Sequence, residues 1–121
     1  MPAMQTVRRF TAQVLSGDYA GAIRDRYTPD ASMQENQAPR RRGRGALAAR
    51  QQVTLERMAR FETQLLADPL ISGAAVVLRW RVTFSPKSGS ERSLEEVARQ
   101  TWQGDRIAAE TFFYDPFQMK A

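Results

Sequence analysis

The 121-residue chain contains no cysteine and no histidine. Their absence excludes disulfides, thiol nucleophiles, thiolate or imidazole metal ligands, and every Ser-His or Cys-His catalytic arrangement. Any chemistry must come from carboxylates, tyrosine, amides or arginine. Long apolar runs are lacking as well. None approaches the ~20 residues of a membrane span, and charges interrupt the apolar pattern from Met1 to Gln13, where a leader peptide would carry a continuous apolar core. These features predict a cytoplasmic protein with no membrane association.

What is present fits one domain spanning residues 1–121. Hydrophobic residues make up 42% and charged residues 26%, in a length typical of domains of about 100–150 residues. No repeat, low-complexity tract or linker interrupts it. The net charge is +5, and the excess lies in residues 1–60, with eleven arginines against five acids. Arg40, Arg41, Arg42 and Arg44 concentrate it in the Pro- and Gly-bounded stretch APRRRGRG. A basic cluster is the electrostatic footprint of a phosphate-binding protein. Here no aromatic residue is interleaved to stack on bases, which argues against nucleic acid, and the pattern favours a solvated loop over a phosphate or anionic-ligand site.

Periodicity divides the chain in two. Val7, Phe10, Val14 and Leu15 share one face of a helix that Gly17 stops. Asp18 is placed to cap a second, in which Tyr19, Ala22, Ile23 and Tyr27 repeat the spacing and which Pro29 ends. Ala31 to Gln37 alternates as a short strand, with Ala31, Met33 and Glu35 on one side. Gly45 to Ala59 is a third helix with Leu47, Leu55 and Met58 on one face. The second half is strand-like over Phe61–Leu66, Ala74–Phe84, Arg92–Gln103 and Ile107–Tyr114, with short connections that make neighbours antiparallel. In Leu78–Phe84, Leu78, Trp80, Val82 and Phe84 face one way and Arg79, Arg81 and Thr83 the other. Helices followed by an antiparallel sheet predict an α+β fold with three N-terminal helices gathered on one sheet face.

The order of these elements resembles one superfamily, the cone-shaped, cystatin-like α+β domains that include SnoaL-like polyketide cyclases, ketosteroid isomerase and nuclear transport factor two. The carriers are Val7-Arg8-Arg9-Phe10 with Leu15-Ser16-Gly17-Asp18-Tyr19, then Tyr27-Thr28-Pro29-Asp30-Ala31, Gly43-Arg44-Gly45-Ala46-Leu47, and Trp102 through Ile107 with Glu110 through Pro116. The resemblance implies a strongly curved sheet wrapped around the helices, a pocket at the open end of the cone, and a homodimer through the outer sheet face. On that face it would place Arg79, Arg81, Glu95, Val97, Arg99, Thr101, Ala109, Thr111 and Phe113. Cross-strand ion pairs on a solvated face are the other reading of the same row.

Function must be argued from the site. Against the ketosteroid isomerase pattern, the resemblance puts the general base at Glu35, whereas the positions of the two oxyanion donors fall at Phe10 and near Ala98. Losing such donors costs about 10²–10³ in rate each, which argues against that mechanism. The histidine of SnoaL-like cyclases has no counterpart, and no Arg-x-Asp pair on a strand matches the superfamily's epoxide hydrolases. By strand parity, Glu35, Gln100, Glu110 and Tyr114 face the pocket, with Glu96 near its rim and Tyr27 reaching in from the second helix. Phe10, Met33, Trp80, Trp102 and Phe112 supply its apolar wall or belong to ordinary core.

Two roles stay open for the acids. Glu35 and Glu110 reach one cavity, one as general base and the other, protonated, as donor to an oxyanion. Alternatively Glu110 is a structural acid held by Arg26 or Arg44, and Glu35 is exposed at a strand end. The functional expectations are a cofactor-free, metal-free lyase, isomerase or cyclase acting on an apolar carbonyl or polyketide-like compound, or a non-catalytic ligand-binding or dimerisation domain.

Overall fold

A computed structural model describes residues 1–119. Its helices are α1 (Met4–Leu15), α2 (Tyr19–Arg26) and α3 (Arg44–Glu56). The strands are β1 (Tyr27–Glu35), β2 (Arg41–Arg42), β3 (Met58–Leu65), β4 (Leu70–Ser72), β5 (Ala75–Pro86), β6 (Arg92–Gln103) and β7 (Arg106–Phe113), and a 3₁₀ turn follows at Pro116–Met119. The strands form one curved, open seven-stranded sheet in the order β2-β1-β7-β6-β5-β3, with β4 also on β5. Among the described residues only β1 and β7 pair in parallel. No described helix is long and apolar enough to cross a membrane.

Local chemistry explains most boundaries. The Asp18 carboxylate accepts from the Gly21 amide at 3.2 Å and caps α2 as expected. That helix ends at Arg26, before Pro29, which lies exposed inside β1. The β1–β7 register shifts between Tyr27 and Ser32. A proline, having no N–H to give the ladder, is accommodated at such an irregularity. The arginine stretch is not wholly a loop: Arg41 and Arg42 pair with Met33 and Ser32 as β2. Gly43 then turns the chain into α3 with φ +97, which a side chain would make unfavourable. The third helix stops at Glu56 and Met58 already belongs to β3, so the spacing of Leu47, Leu55 and Met58 ran across a helix–strand junction.

The alternation in β5 is realised. Leu78, Trp80, Val82 and Phe84 are buried, and burying each such side chain contributes about 1.5–3 kcal/mol. Val7, Phe10 and Ile23 from the helices meet Leu78, Trp80, Trp102 and Ile107 from the sheet in the main core. A second cluster, Val82, Phe84 and Leu94, is flanked by Met58, Phe61 and Tyr114.

Candidate functional site

The inner row of β6 carries Ala98, Gln100 and Trp102, and the antiparallel register sets Gln100 opposite Glu110 on β7. Parallel pairing sets Met33 of β1 on the other side of Glu110. Gln100 and Glu110 are 0% and 2% exposed, so every polar atom on them needs a partner inside the protein. They have one. The Trp102 indole N–H donates to Gln100 Oε1 at 2.9 Å, and Gln100 Nε2 donates to Glu110 Oε2 at 2.7 Å. The Tyr27 hydroxyl donates to Glu110 Oε1. Because an indole can only donate, Trp102 fixes which end of the Gln100 amide faces Glu110. Phe10 packs edge-on against both ends of this chain, with ring centroids 6.1 Å from Tyr27 and 6.3 Å from Trp102.

Electrostatics at this floor are those of a buried acid with no counter-cation among the described residues. Burial pushes the Glu110 carboxyl above its ordinary range, and the bonds from Tyr27 and Gln100 pull it partly back. Burial first, and then the Glu110 charge, hold the Tyr27 hydroxyl well above its ordinary value. Neither arginine proposed as a partner reaches Glu110: Arg26 donates to Gln13 Oε1 at 3.0 Å and Arg44 to the Tyr27 carbonyl at 3.2 Å.

Two adjoining cavities open over this floor. The smaller, about 120 Å³, is bordered by Phe10, Tyr27, Trp80 and Glu110. The larger, about 250 Å³, is bordered by Glu35, Arg41, Arg50, Phe84 and Tyr114. Met33, Gln51, Phe61, Val82, Glu96 and Phe112 line both. Glu96 is therefore the acid common to the two among the described residues. Burial, then repulsion from Glu110 and Glu35, pushes its carboxyl up to about 7. Tyr114 is raised too, by burial and then by the charges of Glu35 and Glu96.

The structure thus separates the residues that sequence parity had grouped. Glu110 borders the smaller cavity, and Glu35 the larger. Glu35 lies at the end of β1, half in solvent and 4.0 Å from Arg41, so the strand-end position and the cavity position are both realised. Phe10, Tyr27, Met33, Trp80, Phe112 and Tyr114 line a cavity. Gln100 and Trp102 do not; they stand behind Glu110 and orient it. Glu96, put only at the rim by parity, borders both cavities, which parity did not show. Its place in the inner row four residues before Gln100 was the available signal.

The SnoaL-like domain model matches residues 7–110. A protein described as a SnoaL-like polyketide cyclase from Mesorhizobium loti superposes with TM-score 0.77 at 24% identity, covering 91% of this chain and 97% of its own. A nuclear-transport-factor-two-like protein of unknown function from Burkholderia pseudomallei gives TM-score 0.81 at 16% identity, covering 96% and 92%. An LEH-like epoxide hydrolase from M. tuberculosis gives 0.78 at 16%, covering 96% and 84%. At these identities the likeness is one of fold. No curated protein matches the chain.

Proposed function

The chain belongs to the SnoaL-like domain family, and on that premise we propose that it is a cofactor-free acid–base enzyme acting on an apolar carbonyl compound of polyketide-like type, as an isomerase, lyase or cyclase. One observation carries the reading: Glu96, with no arginine partner among the described residues and a carboxyl raised to about 7, borders both cavities, while the bonded Tyr27 and Glu110 line one of them. A carboxylate whose pKa lies near the working pH is suited to take and return a proton. In this reading Glu96 removes a proton from the carbon next to the carbonyl. The C–H electron pair moves into the new C=C bond, and the carbonyl oxygen becomes the enolate oxygen. When Glu110 carries a proton, which its burial favours, that proton turns to the Tyr27 oxygen, and the Tyr27 hydroxyl, released from Glu110, donates to the enolate oxygen. The donor thus comes from the start of β1 rather than from the positions of Phe10 and Ala98, where the family pattern had left it missing. Glu35, half in solvent and beside Arg41, is left to the mouth.

The test is deuterium exchange at the carbon next to the carbonyl of 2-tetralone, followed by NMR. Wild-type protein is expected to accelerate exchange, Glu96→Gln to lower the rate by about 10²–10⁴, and Tyr27→Phe by about 10²–10³. Exchange no faster with protein than without it would sink the enzyme reading. The completeness of the floor network favours a second reading, a non-catalytic ligand-binding domain, since Tyr27, Glu110, Gln100 and Trp102 already satisfy one another. Under that reading 2-tetralone binds and its exchange rate does not change.

A further inference from the structure

The four clustered arginines are given different tasks by the fold. Arg40 is a clamp: it donates to Ser32 Oγ at 3.0 Å, Gln34 Oε1 at 2.7 Å, Thr111 Oγ1 at 3.1 Å and the Glu110 carbonyl at 3.2 Å. Arg44 is tied to the Tyr27 carbonyl. Arg42 is exposed and borders neither cavity. Arg41 lines the larger cavity, where Arg50 of α3 joins it.

The state of these two side chains points to a ligand. Arg41 has one acidic neighbour, Glu35 at 4.0 Å, and the Arg50 guanidinium forms no hydrogen bond or ion pair with any described residue. Two cations against one close carboxylate leave a single positive charge at the mouth. Besides Glu35 and the two arginines, the polar wall of this cavity consists of Gln34, Gln51, Thr54, Tyr114 and the acid Glu96. Deeper in, Phe61, Phe84 and Phe112 supply apolar surface. The strand that carries Arg41 is fixed by the Arg40 clamp and by the Gly43 amide bonded to the Ala31 carbonyl at 2.9 Å, so little freedom is lost when a partner arrives. A guanidinium offers a planar fork that matches a carboxylate.

We propose that Arg41 and Arg50 form an anion subsite, and that the ligand is an amphipathic monoacid whose carboxylate pairs with them while its ring system lies against the three phenylalanines. This rests on the reading of the cavities as a small-molecule site and adds the chemical class of the molecule. A monoanion matches the single uncompensated charge. Glu96, with its carboxyl raised to about 7, is about half neutral at pH 7 and opposes such an anion less than an ordinary glutamate would.

Titration calorimetry with 2-naphthoate and 2-naphthamide, alike in shape and different in charge, tests it. Wild-type protein is expected to bind the naphthoate at least about 10-fold more tightly, one charge-assisted contact being enough for that ratio. Arg50→Ala and Arg41→Ala should each shrink the ratio, and the double variant should bind the two compounds alike. Arg42→Ala, which removes the same charge a residue away, should keep the wild-type ratio. Equal affinities in wild type, or a preference that survives the double substitution, would overturn the subsite. If naphthamide binds and 2-tetralone exchanges but naphthoate has no advantage, the subsite alone falls. If neither naphthalene binds, the small-molecule reading falls with it.

Discussion

Glu95 and Glu96 are neighbours on β6, and their carboxyls meet opposite surroundings. Glu95 points to the outer face, where Arg81 reaches it at 2.8 Å and Arg79 at 3.4 Å, and those hydrogen bonds hold its carboxyl below the ordinary range. Glu96 points into the cavities, and burial pushes it up to about 7. The contrast extends beyond this pair. On the outer side Glu62 and Glu91 share Arg60, whereas Glu110 is met by a hydroxyl and an amide. The chain has sixteen arginines to draw on, yet among the described residues none is set against the Glu96 or Glu110 carboxyl. An acid that only had to be accommodated could have been neutralised by a guanidinium, as the outer face does. The inner acids are instead placed where holding a proton is the favourable state.

The contrast breaks hardest at Glu110. Glu110→Ala removes the acceptor for both the Tyr27 hydroxyl and the Gln100 amide, and leaves a hole among Phe10, Tyr27 and Trp80. Unpaired buried donors and the lost volume together are expected to cost about 3–5 kcal/mol of stability. Glu110→Gln can turn its carbonyl oxygen to Gln100, whose amide Trp102 holds in place, and its amide to the Tyr27 oxygen, leaving only the Tyr27 hydroxyl proton without an acceptor. That variant should lose only about 1 kcal/mol. Urea unfolding of the two variants checks the difference. Equal small losses would mean that water already reaches this network.

Glu96→Gln sharpens the contrast through pH. The Glu96 carboxyl has a folded value of about 7 against an ordinary 4.5, so the folded state holds this proton more firmly than the unfolded chain does. Stability is then greatest below about 4.5, falls as pH rises through that window, and levels off above about 7. The full loss is about 3 kcal/mol. A glutamine cannot ionise and should not show it. Variant and wild type are expected to unfold alike near pH 4 and to diverge by about 3 kcal/mol at pH 8, with the variant the more stable. Glu110, shifted in the same direction, contributes a slope of the same sign to both proteins. Urea midpoints measured from pH 4 to 8 decide it: parallel curves would mean that Glu96 ionises as an exposed glutamate does.

How far this was legible in the sequence depended on whether burial on one face enforced the pattern. The alternation from Leu78 to Phe84 is strong because a slip of one residue would expose Trp80, and the same pleat put Gln100 and Glu110 inside. The bond between Tyr27 and Glu110 joins residues 83 apart in the chain. No spacing could announce it, and the irregularity between Tyr27 and Ser32 hides the parity of β1 at the place where it would be needed. The two-residue β2 carries only exposed arginines and has no apolar face to betray it. The three-residue β4 is too short for an alternation to show. Arg40, Arg41, Arg42 and Arg44 are identical letters in one stretch, and only the three-dimensional turn between β1 and β2 makes one a clamp and another a cavity wall.

At Glu95 the same glutamine substitution is expected to do almost nothing, and the reason completes the comparison. Its partners Arg79 and Arg81 and the carboxylate itself are all well exposed, with side-chain exposures of 55%, 42% and 44%. Solvent screens such pairs, and holding two long side chains in one geometry has an entropic cost. The sign also runs the other way. A carboxyl held below its ordinary 4.5 contributes whatever it contributes above that value, and loses it as pH falls through the depressed folded value. The backbone of Glu95, not its carboxylate, anchors the C-terminal turn, its amide donating to Gln118 Oε1 at 3.0 Å and its carbonyl accepting from Gln118 Nε2 at 3.2 Å. Glu95→Gln leaves that anchor intact. The expected result is an unchanged urea midpoint between pH 6 and 8, where the neighbouring Glu96→Gln is already gaining. A loss at Glu95 as large as the gain at Glu96 would show that the outer arginine pairs are shielded from water, and solvation could then no longer explain why adjacent glutamates on one strand titrate so differently.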